Sequence, residues 1–93
     1  MKIAHRDIGP QQPPLIIAEI GINHGGDLDT AKRLVHLAAQ SGAECVKHQT
    51  HFIEDEMTDE AKSIFPPNAD ISIWDVMKNN ALSAEDEISL RNY

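Results

Sequence analysis

The sequence holds one cysteine, Cys45, in 93 residues. A lone cysteine closes no internal disulfide, which points to a reducing compartment and so to the cytoplasm. Basic residues are scarce: eight Lys and Arg stand against fifteen Asp and Glu, a formal net charge of −7. Nucleic acids and acidic membrane surfaces are bound through clustered positive charge, so neither is expected as a partner. An anionic small molecule would have to be held by single placed lysines. No apolar run approaches the roughly 20 residues needed to span a bilayer. The N-terminus also lacks the basic, apolar, small-residue order of a signal peptide. Neither an internal repeat nor a low-complexity tract is present.

What remains is a chain with 41% hydrophobic residues, enough for one soluble domain or part of one. Residues 1–14 end in "GPQQPP", a proline-rich lead-in that continues neither a helix nor a central strand. "LIIAEIGIN", 15–23, lies between Pro14 and Gly25-Gly26 and is predicted as a strand buried on both faces. "HGGD", 24–27, is a turn whose glycines allow positive φ or a close backbone approach. Asp27 is the expected N-cap of a helix over 28–40. Leu28, Ala31, Leu34, Val35, Ala38 and Ala39 recur at helical spacing along it, and Gly42 stands where a left-handed C′ residue belongs. "AECVKHQT", 43–50, is the second strand. Strand, helix and strand in succession form a βαβ unit with parallel strands and a right-handed crossover.

Beyond it the pattern loosens. Residues 51–70 form a long connection with a short helix near 58–64 followed by Pro66-Pro67, and loops of that length are often functional. Ser72 with Asp75, and Ser83 with Asp86, resemble capping boxes for helices near 73–80 and onward from 84, with Asp in place of Glu. The last helix runs into Tyr93 without a stop signal. Two parallel strands cannot close a sheet and leave uncovered apolar faces. The expected fold class is therefore α/β, with 15–93 the first two βα units of a (β/α)8 TIM barrel, a fold of roughly 250 residues.

Ligands of parallel α/β folds bind at the carboxyl ends of the strands. Alternation along the strands puts Ile17, Glu19 and Gly21 on one face and Cys45, Lys47 and Gln49 on one face. Glu19, Lys47 and Gln49 can then converge near the mouth of the barrel, while Ile16, Ala18, Ile20, Val46 and His48 face the helices. Glu19 and Lys47 read either as a buried ion pair or as a lysine pre-oriented to donate to a phosphate or carboxylate, and the two roles are compatible. His24, in the turn at the mouth, could touch a ligand or frame the site. His48 reads as a packed core histidine and Cys45 as a small core hydrophobe. His48, His51, Glu54, Asp55 and Glu56 look at first like metal ligands. Consecutive strand residues diverge, however, and acidic runs are usually solvated, so no metal site is expected from this segment. A desolvated lysine is also a usable Schiff-base nucleophile, which leaves Lys47 a second chemistry.

The stretch "IIAEIGINHGGDLDTAKRLVHLAAQSGAECVKHQTH", with "EDEMTDEAK" and "PPNADISIWDVM", resembles the N-terminus of the sialic acid synthase family, over residues 14–93. The "KHQTHxxEDEM" form is similar to its bacterial N-acetylneuraminate and legionaminate branch. The resemblance implies an N-terminal (β/α)8 barrel, a C-terminal antifreeze-like domain and a domain-swapped homodimer. It implies condensation of phosphoenolpyruvate with an N-acetylmannosamine-type sugar to give a nine-carbon 2-keto sugar acid and phosphate. It implies a divalent metal, Mn²⁺ or Mg²⁺, with ligands outside this chain. On the same footing Glu19 and Lys47 are catalytic, with Lys47 also binding phosphoenolpyruvate. Gln49 and Asn68 match sugar contacts, and Asn23 and His24 match the turn that shapes the site.

Two departures accompany the likeness. "PPN" at 66–68 replaces P-G-N, which restricts the backbone before Asn68, and "NHGG" replaces N-H-N-G. His48 stands where many family members have phenylalanine, in keeping with packing. The 93 residues alone are not expected to catalyse. Two alternatives stand beside this reading: another phosphoenolpyruvate-condensing or Schiff-base barrel enzyme, and a non-catalytic assembly module.

Overall fold

A computed structural model describes residues 1–93. The proline-rich lead-in turns out to be folded. Strand β1 (Lys2–Ile3) pairs antiparallel with β2 (Arg6–Asp7) around Ala4, whose φ is 51°. Arg6 ties this hairpin to the chain beyond it. Its guanidinium donates to Glu44 at 2.8 and 3.3 Å and to the Pro13 carbonyl at 2.8 Å. The hydrogen bond from Arg6 holds the Glu44 carboxyl below the usual carboxylate range. Glu44 immediately precedes the second long strand, so the hairpin lies at the N-terminal ends of the sheet.

The βαβ unit forms as expected, with shorter strands. β3 (Ile17–Gly21) and β4 (Cys45–His48) run parallel. Ile17 lies opposite Cys45, Ala18 opposite Val46 and Glu19 opposite Lys47, after which the register shifts and Gly21 lies opposite His48. Ile20 is the extra residue of this bulge. It is buried, whereas Ile17 on the mouth side and Ile16, which alternation puts on the helix side, are both exposed, so β3 is covered only toward its carboxyl end rather than on both faces.

Between the strands, α1 (Leu28–Gln40) has the bounds that its periodicity predicts. Asp27 accepts from the Thr30 amide at 2.8 Å. At the other end Gly42 donates to the Ala39 carbonyl and Ala43 to that of Ala38, the paired bonds of a Schellman motif. Of the predicted stripe, Ala31 is fully buried and Leu28, Leu34, Val35 and Ala38 are half-buried, while Ala39 is exposed.

The long connection holds two helical turns, one of them unexpected. In α2 (Ile53–Glu56) the Glu56 carboxylate reaches back to the Phe52 amide at 3.0 Å and to His51 at 2.8 Å. α3 (Asp59–Lys62) follows, capped by Thr58. α4 (Ile73–Asn79) and α5 (Ala84–Asn92) are capped by Ser72 and Ser83, which accept from the amides of Asp75 and Asp86. The return half of each box is absent. Asp75 instead takes the Ser72 hydroxyl at 2.9 Å, because Asp is one methylene shorter than Glu.

The core is small. Ala31, Leu82 and Leu90 form it, flanked by Leu28 and Val35, so that α5 packs on α1. The turn before α1 is closely packed too. A Cβ on Gly26 would sit 2.7 Å from the Asn79 carbonyl oxygen, which leaves room only for glycine.

Candidate functional site

Lys47 and Glu19, neighbours across the parallel pair, meet at the carboxyl ends of the strands. Lys47 Nζ lies 2.6 Å from Glu19 Oε2. The pair is open rather than buried, with the two side chains 59% and 48% exposed. An open ion pair contributes little to stability, and both groups are accessible to a ligand. Gly21 lies beside them with φ +52°. A Cβ there would fall 3.3 Å from Glu19 Oε1 and 3.9 Å from Gln49 Oε1. The two oxygens therefore crowd the same face of Gly21, and Glu19, Lys47 and Gln49 form one cluster of a carboxylate, an ammonium and an amide. This convergence follows from strand alternation. The bulge that brings Gly21 between them does not.

The turn residues take other places. Asn23 folds back, its amide donating to the Ile20 carbonyl at 2.9 Å and closing the turn. His24 is 3% exposed and presents no surface to a ligand. Its Nδ1 accepts from the Gly26 amide at 3.0 Å, so the neutral ring carries its proton on Nε2, which is buried without a partner. Burial pushes its pKa below the usual imidazole range, helped by the nearby His48. The His24 and His48 rings lie 5.2 Å apart. His24 thus belongs with His48 and frames the turn.

His48 is more than core packing. Its Nδ1 is 3.1 Å from the Gly21 carbonyl, and its Nε2 is 2.9 Å from Glu87 Oε2. Thr50 donates to the same Glu87 oxygen at 2.9 Å. Glu87, in the first turn of α5, was not singled out by the sequence. Glu87 lies one residue past the capping-box position, which Asp86 holds, and only the packing of α5 against α1 brings it under β4. His51 pairs instead with Glu56. No three His, Cys, Asp or Glu side chains converge on one point, so these residues by themselves do not fit a divalent metal. Asn68 is exposed, and no hydrogen bond joins it to Glu19, Lys47 or Gln49. The loop around it turns through a bond from the Ala69 amide to the Pro66 carbonyl.

No family model matches the sequence. The chain is 37% identical over 94 residues to the spore coat polysaccharide biosynthesis protein SpsE of Bacillus subtilis, across 99% of this chain and 25% of that protein. The crystal structure of SpsE superposes with a TM-score of 0.66 and 35% identity, over all of this chain and 24% of the other. The human N-acetylneuraminate-9-phosphate synthase is 53% identical over 49 residues, 53% of this chain and 14% of that enzyme. The N,N'-diacetyllegionaminic acid synthase of Campylobacter jejuni is 50% identical over 48 residues, 52% of this chain and 14% of its own. Its relatives thus carry the names of sialic acid, legionaminic acid and pseudaminic acid synthases and of SpsE, each matched over about a quarter of its length or less, in keeping with an N-terminal piece of such a synthase. The chain spans about a quarter of the length of the curated relatives it matches from end to end. As in SpsE, its βα units are part of a mixed α/β fold. For a sialic acid synthase relative the open Lys47–Glu19–Gln49 cluster is a natural place to look for the site, because it alone combines a cation, a carboxylate and an amide at the strand ends.

Proposed function

We propose that these residues supply the first two βα units of a (β/α)8 barrel in a sugar-acid synthase. The reaction is condensation of phosphoenolpyruvate with an N-acetylmannosamine-type sugar. The observation that carries this is the open Lys47–Glu19 pair, 2.6 Å apart at the carboxyl ends of two parallel strands. The likeness to named sugar-acid synthases supports it.

The chemistry then divides among the side chains. C3 of phosphoenolpyruvate attacks the aldehyde carbon of the sugar, forming the new C–C bond as the C=O π bond opens and its oxygen takes up a proton. Water adds at the former enol C2 and loses a proton, and phosphate leaves as its C–O bond breaks. Lys47 holds the anionic phosphoenolpyruvate, with Glu19 fixing where the ammonium points. The Glu19 carboxylate faces the reacting centre and can take or return a proton, a role worth about 10²- to 10⁴-fold in rate. Gln49 donates to or accepts from sugar hydroxyls, and Asn68 joins it once its loop is set against the sugar. A divalent metal would polarise the aldehyde oxygen. Its ligands belong to other residues, and no step above passes through it. The full protein is proposed to be a cytoplasmic, domain-swapped homodimer with a C-terminal antifreeze-like domain.

Lys47→Ala tests the assignment in the full-length protein. Loss of a charge-assisted contact of about 1.5–3 kcal/mol raises the KM for phosphoenolpyruvate by about 10- to 100-fold or abolishes turnover. Unchanged kinetics would remove the anion-binding role. Borohydride trapping of a carbonyl substrate on Lys47 would favour Schiff-base chemistry instead.

A further inference from the structure

We infer that His48 is a positioning residue for the Glu19–Lys47–Gln49 cluster, gripping the bulge carbonyl of Gly21 from the helix side of the sheet while its other ring nitrogen is held by Glu87. The inference rests on the anion-binding reading of Lys47 for its effect on substrate, though not for its geometry.

The grip follows from the partners. A backbone carbonyl and a carboxylate both accept, and neither donates. His48 lies 3.1 Å from the Gly21 carbonyl through Nδ1, and 3.1 and 2.9 Å from the two Glu87 oxygens through Nε2. Nδ1 must therefore donate to the Gly21 carbonyl, while Nε2 faces the Glu87 carboxyl, so the ring bridges β3 and α5. Thr50 fixes the carboxylate from a third direction. The other groups around His48 do not compete. His24 is neutral, with Nδ1 occupied by the Gly26 amide. The cavity of about 500 Å³ on this side takes Val35 from α1, Arg91 from α5 and Tyr93 from just past the end of α5. Glu87 is therefore the anion the ring meets, and the pair is largely shielded, with 17% and 14% of the two side chains exposed.

The link to the cluster is one peptide group. Gly21 is where the register between β3 and β4 shifts. Its carbonyl is held by His48 on one side of the sheet, and its other face abuts Glu19 Oε1 and Gln49 Oε1. His48 itself stands in sequence between Lys47 and Gln49. Releasing the carbonyl frees a glycine that already tolerates either sign of φ, and the bulge loses the contact that fixes its orientation. Glu19 and Gln49 then lose the surface they are packed on.

The test uses the full-length protein. His48→Phe keeps a ring of similar size and removes both ring nitrogens. The expected result is a KM for phosphoenolpyruvate raised on the order of 10- to 100-fold, with kcat changed less and the Gly21 carbonyl ¹³C signal displaced. Glu87→Gln keeps an acceptor and removes the charge. It should shift KM in the same direction by less, and add nothing in the His48→Phe background. A native KM with an unmoved Gly21 signal overturns the inference, as does a Glu87→Gln effect that persists undiminished without His48. Should His48→Phe fail to fold, Glu87→Gln alone decides, and a native KM overturns the inference. If Lys47→Ala leaves KM unchanged, the anion-binding reading falls by itself, and the Gly21 carbonyl signal still decides the role of His48.

Discussion

Gly21 shapes the candidate site without contributing a side chain. Its φ of +52° lies in the left-handed region, which costs an L-residue about 1–2 kcal/mol. A Cβ would also press to 3.3 Å on Glu19 Oε1. Gly21→Ala should therefore lower unfolding free energy by about 1–2 kcal/mol and displace Glu19 from Lys47, and under the proposed anion-binding role of Lys47 it should weaken phosphoenolpyruvate binding in the full-length protein. Thermal melts and calorimetric titration check the two effects. His24 gives a second prediction at this scale. Its pKa is depressed in the fold, so between pH ~6.5 and that lower value the unfolded chain binds more protons than the folded one. Stability conferred by neutral His24 is present above pH ~6.5 and is lost as pH falls through this window. Urea unfolding from pH 8 to 5 should show the loss, and His24→Gln should flatten that part of the profile.

Among the elements, α5 has the weakest sequence pattern and the largest structural consequence. It brings Leu90 into the core and Glu87 under β4. Its first turn depends on Ser83, which accepts from the Asp86 amide at 3.1 Å. Ser83→Ala should cost about 1 kcal/mol. Because Glu87 belongs to that turn, slower-exchanging amides of the turn should also become less protected, which hydrogen exchange reads directly. The N-terminal hairpin depends in a comparable way on Arg6. Its clasp on Glu44 weakens as pH falls through the depressed pKa of that carboxyl.

At the scale of the whole molecule the chain is open. Seven of 93 residues are buried, and the radius of gyration is 16.4 Å, against about 12 Å for a compact domain of this length. Ile16, Ile17, Phe52, Ile64, Phe65 and Ile88 are exposed. Large apolar surface on a small core binds hydrophobic dyes and favours association. The 93 residues expressed alone should enhance the fluorescence of such a dye and unfold with little cooperativity. A sharp two-state transition with no dye binding would show that this core suffices.

The local pattern of the sequence determined a good deal about this protein. The bounds of α1, its Asp27 cap and its Gly42 terminus were legible because helix periodicity and capping act within a few residues. The shared face of Glu19 and Lys47 was legible because side chains alternate along a strand. The hairpin of the first residues was not, since two-residue strands carry no period and are held by Arg6 reaching 38 positions along the chain. Nor was the bulge at Gly21, which depends on how two strands pair. Only the tertiary structure separated the two histidines. His24 is neutral and framing, while His48 joins Gly21 to Glu87. A ring's protonation and partners depend on groups far away in sequence, which packing alone brings within hydrogen-bond reach.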